Sequence, residues 1–299
     1  MKGELVSSPF SLVYNLHVLL FVKTKEVDSS KRMEWLVQGI QEVFGVAPWG
    51  LMVVCSLVFI AGYVDSIAGG GGLISLPAYM IVGLPTHASI ATNKLASAMG
   101  TTVATWHYAK SGFIQVKLAI PAIICAFIGS FFGSNLVLLV SDYALKVILL
   151  FVLPLTALYV MKTKQLGNSK TSTLTRLQTT LICCCVAMIV GAYDGFYGPG
   201  TGTFLMLLLS GAAQLRLDAS AGITKAINLS TNIAALAVFL FHGEVLIPLG
   251  LLAGVFSIAG NYVGSHKFTS QGGSVAKPIT IVVLVMFLIK VIYDLLMGA

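Results

Sequence analysis

Residues 65–72 read D-S-I-A-G-G-G-G and cut through an apolar run that extends from Leu51 to Leu84. Four consecutive glycines weaken a helix by roughly 1 kcal/mol each against alanine. They also bare N–H groups that hydrocarbon cannot satisfy, so a helix entering this stretch has to stop. A carboxylate at the centre of a bilayer costs about 2.5–3.5 kcal/mol on insertion scales, which places Asp65 on a wet or protein-packed cavity and not against lipid. The same punctuation occurs once more, as Y-D-G-F-Y-G-P-G-T-G at 193–202, again behind an apolar run, Leu181–Val190.

The two breaks are in register. Asp65 and Asp194 lie 129 residues apart, and Lys94 and Lys225 lie 131 apart. The 131 offset also pairs Gly112 with Gly243, Gly129 with Gly260, Gly133 with Gly264 and Ser134 with Ser265. The chain reads as two copies of one unit. Interrupted apolar segments at corresponding places in two halves point to the binding site of a transporter.

Composition narrows the class. Of 299 residues, 57% are hydrophobic and 10% charged, and the mean hydropathy is +0.92. These values lie outside the soluble range and describe a polytopic membrane protein. The net charge of +7 is dispersed into loops between apolar segments. It forms no basic stripe with interleaved aromatics, so nucleic acid is excluded as a partner and the charges read as topology signals. Cys183, Cys184 and Cys185 are adjacent, point about 100° apart on a helix and cannot converge on a metal. No zinc or disulfide spacing is present, and no G-x-x-x-x-G-K-[ST] loop encodes an ATP motor.

The expected fold is an all-α integral membrane protein with two inverted-topology repeats, glycine-broken re-entrant helices and about 8 spanning helices. Residues 1–32 form a doubtful leader, whose apolar Phe10–Val22 is short of a span; Met33 is read as the start. The first repeat covers 33–162, a cytoplasmic linker 163–176, and the second repeat 177–299. Inverted repeats put most loop lysines and arginines on one, cytoplasmic side and the C-terminus outside.

Asp65, Gly69, Gly70, Gly71, Gly72, Asn93, Lys94 and Ser97 in the first half form the candidate substrate site with Asp194, Gly198, Gly200, Gly202, Lys225, Asn228 and Asn232 in the second. Lys94, Ser97, Thr101 and Thr105 step by three or four, as do Lys225, Asn228 and Asn232, so each set shares one helix face. The lysines either clamp an anion or snorkel toward a head group. The aspartates either bind a coupling proton or sodium ion or cap the broken helices. The glycines either aim N–H groups at an anion or serve a tight reversal. The G-x-x-x-G pairs Gly129/Gly133 and Gly260/Gly264 are read as helix-packing devices. No catalytic residue, metal or cofactor is assigned.

The strings F-I-A-G-Y-V-D-S-I-A-G-G-G-G-L-I-S-L-P-A, A-T-N-K-L, Y-D-G-F-Y-G-P-G-T-G and T-K-A-I-N-L-S-T-N occur in that order. Together they resemble the sulfite exporter TauE/SafE family, also called the toluene sulfonate uptake permease family, from about Met33 to the C-terminus. The resemblance implies a multi-pass carrier of sulfur-containing or organic anions in the cell inner membrane. The expected function is a secondary-type transporter of a small anion (sulfite, a sulfonate or a carboxylate) by alternating access between two repeats, with room for a homo-oligomer. The alternatives are an anion channel and an intramembrane aspartyl protease. Tyr193-Asp194 resembles the first aspartate motif of such proteases, but Asp65 precedes its glycines instead of following a G-x-G.

Overall fold

A computed structural model describes residues 29–162 and 173–267. The expectations for the apolar segment 10–22 and for a last span at 279–297 lie outside these residues. The described residues form ten helices, with no strand among them: α1 (Ser29–Phe44), α2 (Pro48–Ala68), α3 (Gly72–Ile81), α4 (Thr86–Lys110), α5 (Val116–Val137), α6 (Asp142–Lys162), α7 (Arg176–Phe196), α8 (Thr201–Gly211), α9 (Leu217–Phe241) and α10 (Ile247–His266). Five of them, α2, α5, α7, α9 and α10, are long and apolar enough to cross a membrane.

Local chemistry sets the ends. Pro48 opens α2 at a position where its missing N–H costs nothing. A capping box between Thr175 and Gln178 starts α7. At the first glycine run α2 stops at Ala68, and Gly69 turns left-handed (φ +74°) while its N–H closes on the Asp65 carbonyl. At the second, α7 stops at Phe196, and Gly198 and Gly200 both adopt positive φ before α8 begins.

The exterior is apolar, and the interior holds polar and charged side chains among its apolar ones. Ile120, Ile124, Phe127, Phe131 and Phe132 of α5 are exposed, as are Trp49, Met52 and Ile189 elsewhere. Lys94, Asp194, Lys225, Asn228, Asn232 and Asn261 are buried. In hydrocarbon there is no gain from hiding apolar side chains from lipid, so polar groups gather inside where they can satisfy one another.

Two apolar clusters mark two packing units. One joins Val54 and Val58 of α2, Tyr79 of α3, Ala96 of α4 and Leu249 and Ala253 of α10. The other joins Ala122 and Ala126 of α5, Cys183 and Ala187 of α7, Leu205 and Leu209 of α8 and Ile223 and Ile227 of α9. Each unit therefore takes its broken pair and polar helix from one half of the chain and its last helix, α10 or α5, from the other. The seam between units is the α4–α9 contact and a further apolar cluster that joins Leu73 and Leu76 of α3 and Ile90 of α4 to Val137 of α5 and Ala235 and Phe239 of α9. The Thr105 hydroxyl donates to the Lys225 carbonyl toward one end, and Lys94 reaches Asn232 toward the other, so α4 and α9 run antiparallel.

The exchanged helices sit close because of their glycines. A Cβ at Gly129 or Gly133 would stand 2.2 Å or 2.0 Å from carbonyl oxygens of α7, and one at Gly260 would stand 2.1 Å from the Phe59 carbonyl of α2. The G-x-x-x-G pairs are therefore packing devices. Gly133→Ala is expected to force α5 and α7 apart at a cost of about 1–3 kcal/mol, seen as a lower melting temperature of the detergent-purified protein. An unchanged melting temperature would show that this backbone approach contributes nothing.

Candidate functional site

The two helix breaks meet. The Thr203 N–H donates to the Gly69 carbonyl at 2.7 Å, and its hydroxyl donates to the same oxygen at 3.0 Å. A Cβ on Gly202 would come within 2.7 Å of the Gly69 Cα, so only glycine permits this contact. The N–H groups of Gly70, Gly71 and Gly200 donate to no backbone acceptor among the described residues. They lie at or just before the starts of α3 and α8, the positive ends of those helices.

Beside this junction lies a cavity of about 50 Å³. One water needs roughly 10–15 Å³ on the same measure, so the space suits a small ion with little else. Of the sequence-predicted residues, Asp65, Gly69, Gly71, Gly72, Asn93, Lys94, Ser97, Asp194, Gly198, Gly200, Gly202, Asn228 and Asn232 line it. Gly70 and Lys225 do not.

The two lysines read as a candidate anion clamp are each paired with a carboxylate. Lys94 Nζ lies 2.8 Å from Asp194 Oδ2 and donates to Asn232 Oδ1 at 3.3 Å. Lys225 Nζ lies 2.8 Å from Asp65 Oδ2 and also donates to the Asp65 backbone carbonyl. Each lysine pairs with the aspartate of the other half, across the seam. Both ammonium groups are buried, so neither snorkels. The carboxylates do not cap α3 or α8, whose N-caps, Gly71 and Gly200, have no side-chain bond. Nor do they form a carboxyl dyad of the aspartyl-protease kind, since each is bonded to a lysine. A buried ammonium and carboxylate each carry a desolvation penalty of several kcal/mol, which their mutual attraction offsets only in close contact.

The two pairs differ. Lys94 and Asp194 both face the cavity, whereas Lys225 is fully buried behind Asp65. Gly198 stands beside the first pair with φ +95°, and a Cβ there would lie 3.2 Å from Lys94 Nζ and 3.1 Å from Asp194 Oδ1. Its missing side chain leaves that ion pair open to the cavity.

Sequence reasoning missed Ser257 and Asn261 of α10, Thr201 and Tyr197 on the same wall. The Asn261 amide donates to the Ser257 carbonyl at 3.0 Å, and its Oδ1 has no partner, as is also true of Asn228 Oδ1 and Asn93 Oδ1. A signal existed. At the 131 offset Asn261 corresponds to Ser130, just as Asn228 corresponds to Ser97 and Asn232 to Thr101.

Comparisons with known proteins agree with this architecture. The chain is 38% identical over 239 residues to a probable membrane transporter protein, ORF9, of Sinorhizobium sp, covering 79% of this chain and 90% of that protein. It is 30% identical over 244 residues to a probable membrane transporter protein of Haemophilus influenzae, covering 82% and 95% respectively. It is also 30% identical over 258 residues to the probable membrane transporter protein YfcA of Escherichia coli K12, covering 86% and 95%. No solved structure matches. The sulfite exporter TauE/SafE profile matches residues 54–291, a region that contains both helix breaks, both ion pairs and the cavity, and the chain belongs to that family of membrane transporters.

Proposed function

We propose that the protein is a secondary-type transporter of a small anion in the cell inner membrane, working by alternating access. The observation that carries this reading is the small polar cavity at the junction of the two broken helices, with a reachable ammonium group and unbonded peptide N–H groups at its wall. An anion there gains a charged hydrogen bond and two helix ends. The family description and the cavity volume favour sulfite, another sulfur oxyanion, a small sulfonate or a small carboxylate. Inverted repeats are supported by the antiparallel α4–α9 seam and by the reciprocal exchange of α5 and α10. The bodies that rock against each other are the two mixed packing units, and the two ion pairs bridge them.

The test is flux into proteoliposomes that contain the purified protein, with sulfite, thiosulfate, methanesulfonate and acetate as probes. Saturable uptake that speeds up when the same anion is loaded on the far side is expected. A steady conductive current without saturation would identify a channel, and no flux of any probe would remove the anion reading.

A further inference from the structure

The four charges of the site, three of them buried and Asp65 partly exposed, sum to zero, so an anion entering the cavity brings a charge that nothing there balances. Only one of the two ammonium groups is in reach. Lys225 is fully buried, does not line the cavity and is held by both the carboxylate and the backbone carbonyl of Asp65 at the end of α2. Lys94 lines the cavity, and Gly198 leaves its contact with Asp194 uncovered. The Lys94 ammonium has three N–H donors, of which Asp194 and Asn232 take two, so an anion that bonds to the third stands against the Asp194 carboxylate, and two negative charges then share one cation. A second negative charge against one ammonium in a buried, low-dielectric wall is strongly disfavoured unless one of the two is neutralised, and Asp194 is the buried acid in place to accept the proton.

Resting on the anion-transport reading, we propose that Asp194 is the proton site of the transporter: the anion takes over the positive charge of Lys94, and the Asp194 carboxylate beside it takes up one proton from water. The charges balance. A Lys94–Asp194 ion pair plus an anion and a proton becomes a Lys94–anion pair plus a neutral carboxylic acid. The protonated Asp194 becomes a hydrogen-bond donor in a cavity whose wall holds three unpartnered amide oxygens, on Asn93, Asn228 and Asn261. Lys94 keeps its bond to Asn232 and stays in place. The Lys225–Asp65 pair is a fixed latch, and its charges cancel throughout.

The other ionisable groups on the cavity wall are Lys94 of α4, Asp65 of α2 and Tyr197, which follows α7. Tyr193 of α7 points its hydroxyl at the Pro199 carbonyl. Among the described residues α5, α8 and α9, which pack on α7, contribute no ionisable side chain to that wall. Asp65 is the competing acid, and its tie to Lys225 separates it from the anion.

Calorimetric titration of the purified full-length protein with methanesulfonate, an anion that stays ionised, tests this in two buffers of different ionisation enthalpy. About one proton should be taken up per anion bound, and the apparent affinity should fall about tenfold for each pH unit of increase. Asp194→Asn should bind the anion with no proton uptake and no pH slope, and Asp218→Asn, outside the cavity, should keep both. Wild-type binding with neither proton uptake nor a pH slope would overturn the proposal even if Asp194→Asn failed to fold. Loss of the proton in Asp65→Asn with retention in Asp194→Asn would also overturn it. Both results would leave anion transport standing, whereas no binding of methanesulfonate, sulfite, thiosulfate or acetate to folded wild-type protein would remove the transport reading and this proposal together.

Discussion

Lys225→Met is expected to destabilise the protein by about 3–5 kcal/mol, toward the lower end because the Asp65 side chain keeps 19% exposure. The change removes the only ion-pair partner of Asp65 among the described residues and strips a donor from the carbonyl that ends α2. A carboxylate left unpaired in the protein interior costs more than the pair ever contributed. The double change Lys225→Met with Asp65→Leu should therefore recover most of the loss. Thermal unfolding in detergent separates the outcomes. A single variant that melts with the wild type would show that the pair holds nothing, and a double variant as unstable as the single would place the cost in packing instead of charge.

Gly69→Ala should be nearly as damaging, at about 2–5 kcal/mol. The left-handed backbone costs a residue with a Cβ about 1–2 kcal/mol. Overpacking adds about 1–3 kcal/mol more, because the new methyl group would stand 2.5 Å from the Gly202 carbonyl carbon and 2.7 Å from the Thr203 nitrogen. Those atoms are backbone and cannot swing aside. The expected result is a lower melting temperature together with loss of anion flux, since the junction forms the cavity wall. Gly83→Ala is the control, because Gly83 shares the positive φ but has open space around it. If Gly69→Ala loses no more than Gly83→Ala, the close approach of the two breaks carries no energy.

The positions of both helix breaks were legible in the sequence because a break is a local event. The runs at Gly69–Gly71 and Gly198–Gly200 are poor helix formers by composition alone, and the structure ends α2 and α7 just before them, at Ala68 and Phe196. The polar faces of α4 and α9 were legible for a similar reason, since helical spacing alone aligns Lys94 with Ser97 and Lys225 with Asn228. Helical spacing says nothing, however, of what the lysines and aspartates pair with. Which lysine meets which aspartate was not legible. A pair within one half, Lys94 with Asp65, balances charge as well as the observed crossed pair, and only the antiparallel packing of α4 on α9 carries each ammonium to the other half's aspartate. The exchange of α5 and α10 between units was hidden for the same reason. Both α5 and α10 carry a G-x-x-x-G face, and shape complementarity between distant segments selects the partner. The asymmetry that leaves Lys94 open to the cavity and buries Lys225 behind Asp65 arises last of all, from side-chain packing around the two helix breaks.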